Sequence, residues 1–140
     1  MPARQLTVLT DAGESAWSSW NRFVTEFATR VGARITEIDD GGITGAAFHA
    51  HVGQARSAVL ASPKRHTVAT PPTLGVRPVA PIPLWTWSLL SRRDDDRPAV
   101  IHVRTALRGH ADAQQWTAAP DDPWWAPADD PHLGALTHPG

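Results

Sequence analysis

Leu6-Thr7-Val8-Leu9-Thr10-Asp11-Ala12-Gly13 is the stretch that decides the fold. Four apolar or β-branched residues make a short strand, and they run straight into a polar turn. Between Glu14 and Val31, the residues Trp17, Trp20, Phe23, Val24, Phe27 and Val31 fall at spacings that put them on one helical face. Gly32 then stands where a left-handed C-terminal cap belongs. A strand followed at once by an amphipathic helix is the opening of a parallel crossover unit.

The pattern repeats downstream. Ile35-Thr36-Glu37-Ile38 alternates like a second strand and stops at Asp39-Asp40-Gly41-Gly42, and Ile43 to Val52 has the composition of a short helix before Gly53. Ser57 to Ala61 reads as a third strand, of the kind buried on both faces, ended by Ser62-Pro63. Lys64 to Thr70 reads as a short helix or a loop, and Val76 to Ala80 as a further short strand. Strands alternating with helices predict right-handed crossovers and a three-layer α/β sandwich with a mainly parallel sheet, in which Leu6, Ile35 and Ala58 open neighbouring strands.

Further on, the apolar run Pro83-Leu84-Trp85-Thr86-Trp87-Ser88-Leu89-Leu90 predicts another strand, stopped by Arg92-Arg93-Asp94-Asp95-Asp96. The aspartates stand where helix caps stand, and Pro98 suits a first helical turn because its missing amide hydrogen would be unpaired there anyway. Val100, Val103 and Leu107 form a stripe that must face something apolar.

Charge divides the chain in two. Residues 1–111 carry all 13 Lys and Arg and 9 of the 14 Asp and Glu, a balance of +4, whereas residues 112–140 carry 5 Asp and no Lys or Arg, a balance of −5. The tail, rich in Pro, Asp and Trp, reads as extended or disordered, with Trp116, Trp124 and Trp125 available to pin it onto the body. Without cysteine there is no disulfide, thiolate zinc site or cysteine nucleophile. No apolar run reaches the roughly 20 residues of a membrane span, and the N-terminus lacks a signal-peptide layout, so a cytoplasmic protein with no membrane partner is expected. A weak, unclustered positive balance does not make a phosphate-tracking surface.

The segment from Pro81 to Ala111 resembles the closing strand and helix of the effector-binding domain of LysR-type transcriptional regulators, and with the elements upstream the resemblance covers roughly Arg4 to Ala111. It implies one subdomain of a type 2 periplasmic-binding-protein fold. Leu6 to Leu9 would be its opening strand, Glu14 to Val31 its first helix, Ile35 to Ile38 its second strand, Ala58 to Pro63 the apolar strand that ends in proline, and Pro83 to Arg93 the return crossing. One departure is a turn with Gly53-Gln54-Ala55-Arg56 where the family usually has Gly-x-Gly. The resemblance implies a truncated module, residues 1–111, that senses a small-molecule effector. Its DNA-reading helix-turn-helix and first subdomain lie outside this chain, so it would bind no DNA alone and would pair as a homodimer or with the missing regulator half.

Any ligand would be expected where strand ends meet helix N-termini, whose free amides and dipole attract polar groups. Three such ends are legible: Thr10, Asp11, Ala12 and Gly13; Asp39, Asp40, Gly42 and Ile43; and Ser62, Pro63 and Lys64. The same glycines and aspartates also serve turn geometry and capping. Asp11, Asp39 and Asp40 would repel an anion unless Lys64 or Arg65 compensated.

Other constellations are weaker. His49 and His51, near Asp39 and Asp40, offer metal-ligand chemistry, but positions i and i+2 of a helix face different sides. Ser15 or Ser62 could be a nucleophile on paper, yet there is no Gly-x-Ser-x-Gly elbow and no phosphate-cradling loop, so neither an enzyme nor a cofactor is expected. Trp85 and Trp87 would share one face of their strand, packing in the core or stacking on a ligand. The alternative to an effector sensor is a stand-alone protein interaction module, using the stripe of the helix from Val100 to Ala111 and the tail tryptophans.

Overall fold

A computed structural model describes residues 1–13, 16–62 and 68–136. It is mixed α/β. Strand β1 (Leu6–Asp11) leads to helix α1 (Ser18–Val31), strand β2 (Arg34–Ile38), helix α2 (Gly45–Gln54) and strand β3 (Ala58–Val59), and these strands form one sheet in the order β2-β1-β3. Both pairings are parallel, Thr7 opposite Arg34 through Asp11 opposite Ile38 on one side, and Leu6 opposite Ala58 with Thr7 opposite Val59 on the other. Leu6, Ile35 and Ala58 thus do lie in one parallel ladder.

All six residues of β1 are buried, with Val8 wholly enclosed. Two successive side chains of a strand point to opposite faces, so burial at every position means that both faces of this central strand are covered. The core gathers Leu6, Val8 and Leu9 with Trp20, Phe23, Val24, Phe27 and Ala28 of α1, and with Ile43, Phe48 and Leu60. Enclosing one such large apolar side chain as Phe27 contributes roughly 1.5–3 kcal/mol. The helix ends as its sequence directs: Gly32 takes φ 72°, and its amide donates to the Ala28 carbonyl at 2.8 Å.

Two strands differ from their sequence pattern. β2 sits at an edge with four of its five residues exposed. β3 is only two residues long and is not covered on both faces: Ala58 is exposed, Val59 is half-buried against the core, and Leu60 just beyond, whose amide donates to the Thr7 carbonyl at 2.9 Å, is buried in it. Val76 to Ala80 forms no strand beyond a single bridge between Pro2 and Ala80.

The run from Pro83 to Leu90 is not a return strand of this sheet. Only strand β4 (Ile82–Pro83) forms, paired in parallel with strand β5 (Trp124–Trp125) of the tail. Its bonds run from the amides of Ile82 and Leu84 to the carbonyls of Pro123 and Trp125, both 2.8 Å. Proline has no amide hydrogen to give, so Pro83 faces away from the ladder and can have no strand on its other side. Trp85 and Trp87 consequently part company. Trp85 packs edge-on against Phe23 with ring centroids 4.6 Å apart, whereas Trp87 is 68% exposed.

By compactness the chain divides into one unit of residues 1–85 with 122–128 and a second of residues 86–121 with 129–140. Among the described tail residues, β5 is thus part of the first unit. Trp125 lies against Phe23 and Phe27, both centroid distances 5.3 Å, inside the first unit. The second unit carries helix α3 (Pro98–Ala113), which begins at proline as expected. No aspartate side chain caps it: the cap residue is Arg97, and Asp95 instead holds the Arg97 guanidinium at 2.7 Å. No residue of α3 is buried, so the stripe of Val100, Val103 and Leu107 is not covered as its pattern demands. In the same unit Thr86 donates to Asp130, and Ser88 shares a 3.0 Å hydrogen bond with His132.

Candidate functional site at the carboxyl edge of the sheet

Because β1 and β2 are parallel and in register, the turns that follow them emerge at the same edge. Thr10 and Asp11 end β1 and are buried, and the Ala12 amide donates to the Ile38 carbonyl at 2.8 Å, tying the first turn to the start of the second. The segment after β3 brings Ser62, also buried. Pro63 and Lys64 lie outside the described residues, as do Glu14, Ser15 and Arg65.

On the β3 side, β1 outruns its neighbour. Residues alternate along a strand, so the backbone groups of Thr7, Leu9 and Asp11 all point toward β3, and the pairing that begins at Thr7 stops with Leu60. Two side chains of α1 replace the missing strand. The Trp20 indole N–H donates to the Leu9 carbonyl at 2.9 Å. Asn21 then meets both backbone groups of Asp11, its Nδ2 donating to the carbonyl at 2.7 Å and its Oδ1 accepting the amide hydrogen at 3.0 Å. Neither partner is evident from sequence. The only hint at Asn21 is a carboxamide in the first turn of a helix, directly after a buried tryptophan.

The Asp11 side chain turns forward into the loop. Its Oδ1 accepts the Gly13 amide at 2.8 Å, and a Cβ on Gly13 would stand 2.7 Å from that oxygen, so any larger residue there would displace the Asp11 carboxyl. Its Oδ2 is buried and has no hydrogen-bond partner among the described residues.

The second turn has another logic. Asp40 receives both the Gly42 amide, at 2.9 Å, and His51 Nε2, which lies 3.0 Å from each carboxylate oxygen. These contacts hold the Asp40 carboxyl below its ordinary value, the His51 hydrogen bond being the largest cause and the Gly42 amide the next. Any Cβ on Gly42 would come within 2.7 Å of both Asp40 Oδ1 and His51 Nε2. Gly41 adopts φ 69°, and Ile43 behind it is fully buried. Asp40, Gly42 and Ile43 are thus committed to closing the turn onto α2, and Asp39 is exposed. Among the described residues no three His, Cys, Asp or Glu side chains assemble into a metal-binding group.

The expected site residues accordingly sort into two sets. Thr10 and Asp11 form a buried polar strand end, followed by the exposed Ala12 and Gly13, and among the described residues Asp11 Oδ2 is an unsatisfied acceptor; the Asp40 turn is internally satisfied. No helix among the described residues is long and apolar enough to cross a membrane. No family model, curated protein or solved structure matches the chain.

Proposed function

We propose that this chain is a non-enzymatic effector-sensing module, one half of a LysR-type effector-binding domain, with its small molecule held at the carboxyl edge of the sheet between the ends of β1 and β3. The observation that carries this reading is the strand order β2-β1-β3. In such a sheet the chain leaves β1 in one direction and returns past it in the other, and the crevice where the direction reverses is the usual address of a ligand. With right-handed crossovers α1 and α2 cover opposite faces, giving the three-layer sandwich that one subdomain of a periplasmic-binding-protein fold requires.

The exposed face of α3 supports the same reading. In the LysR-type arrangement the returning helix packs on the other subdomain, and Val103 and Leu107 offer uncovered apolar side chains on one face of α3 for that purpose. The return segment itself is reached by β4 and the loop after it, not by a long crossing strand. Effector closure would follow from tighter binding to the closed arrangement of the two subdomains than to the open one.

A thermal-shift screen of the full chain against a metabolite library tests the reading. One chemical class is expected to raise the melting temperature, and the gain should vanish when the Asp11 edge is altered. The same stripe on α3 also fits a stand-alone protein interaction module. That second reading is favoured if no metabolite stabilises the chain while Leu107→Asp abolishes capture of a specific protein.

A further inference from the structure

The unsatisfied oxygen at Asp11 says what kind of group belongs at this edge. Asp11 is only 5% exposed, and among the described residues its buried Oδ2 has no hydrogen-bond partner. A buried acceptor left unmade is costly, and more so when it belongs to a carboxylate. The chain satisfies every other polar group of this residue: Asn21 takes the amide and the carbonyl, and Gly13 takes Oδ1. The bond from Gly13 also restrains the carboxyl group through Oδ1.

Charge at the edge has one sign among its described residues, Asp11, Asp39 and Asp40. Asp40 is already engaged by His51. Among the described residues no third acidic or imidazole side chain joins Asp11 and Asp40 in a metal-binding group. What Oδ2 lacks is a donor, and a cation that carries N–H groups supplies one together with the opposite charge.

We infer that Asp11 Oδ2 is the receptor for a primary ammonium, amidinium or guanidinium group, so that the effector is an organic amine and not a carboxylate. This inference rests on the reading of the carboxyl edge as a ligand site and specifies its chemistry. A charge-assisted hydrogen bond supplies both the missing donor and the opposite charge.

The test is an amide-resolved NMR titration of the full chain at low salt with n-butylammonium, benzamidine, tetramethylammonium, butyrate and magnesium chloride. The first two are expected to move the amide signals of Ala12 and Gly13. Tetramethylammonium, which has the charge but no N–H, should bind at least about tenfold more weakly, the worth of a charged hydrogen bond. Asp11→Asn, which places an N–H₂ where Oδ2 was, should lose the amine response by a similar factor. If that variant fails to fold, the ammonium and tetramethylammonium comparison on the unaltered chain decides the matter. Equal responses to the two cations, or a response to magnesium at the same amides, would overturn the inference. A response to butyrate that survives Asp11→Asn would also overturn it while leaving the ligand edge standing. Silence from every probe, with no hit in the metabolite screen, would bring down the edge reading as well.

Discussion

Asn21 reaches back from the first turn of α1 to grip the backbone of Asp11 at both its amide and its carbonyl, at 3.0 and 2.7 Å. The grip substitutes for a strand that β3 is too short to provide. Asn21→Ala leaves two polar groups at a part-buried strand end without partners, and the expected cost is about 1–3 kcal/mol. Urea denaturation should report it as a lower midpoint with an unchanged slope. A loss below about 0.5 kcal/mol would mean that water replaces the side chain freely.

Phe23 is the hub of the aromatic cluster, touching Trp20, Trp85 and Trp125 at ring-centroid distances of 6.2, 4.6 and 5.3 Å. Phe23→Ala removes a buried ring from among three others and should destabilise by about 3–5 kcal/mol. Trp87→Ala, two residues beyond Trp85 in sequence, should change stability by no more than about 0.5 kcal/mol because its indole is largely exposed. Thermal denaturation of the two variants side by side checks the contrast.

The Asp40 to His51 contact makes a pH prediction with a definite sign. Since the folded carboxyl titrates below its unfolded value, the unfolded chain binds the extra proton across that interval. Stability from this contact is complete above the unfolded value and is lost as pH falls through the folded one. His51→Ala should therefore flatten the acid limb of the stability curve in that interval. Asp94, Asp95 and Asp130 are shifted in the same direction by Arg92, Arg97 and Thr86, so their share of the limb should persist. Gly42→Ala, which crowds the pair, should reproduce the loss, read as the same flattening of the acid limb.

The α3 stripe separates folding from assembly. Leu107→Asp alters an exposed position and should leave the melting temperature of the isolated chain nearly unchanged, within the roughly 0.5 kcal/mol of ordinary surface substitutions. If the stripe docks on a second subdomain, the same change should abolish that association in analytical ultracentrifugation. Strong destabilisation of the isolated chain would contradict the exposure of α3.

How legible all this was in the sequence depends on how local each signal is. The β1 to β2 unit could be read directly, because its periodicities and the Gly32 cap are properties of short segments. Pro83 to Leu90 misled because apolarity alone does not distinguish a paired strand from a segment that packs one indole and exposes the next. The prolines at 81 and 83 held the better clue. α3 shows the reverse difficulty, a helix whose stripe is present but whose cover is not. At the site, the strand-end turns were found at one edge as parallel register requires. The grip of Asn21 and the pairing of His51 with Asp40 depend on long-range geometry that no spacing rule encodes.

The central claim is that the strand-end edge holding Asp11 receives a small molecule, and amide-resolved NMR mapping of the best-stabilising metabolite on the full chain tests it most directly. The account predicts shifts concentrated at Thr10 to Gly13, with Asn21 and Ser62, and none along α3. Shifts clustered on Val103 and Leu107, or spread evenly over the chain, would contradict it.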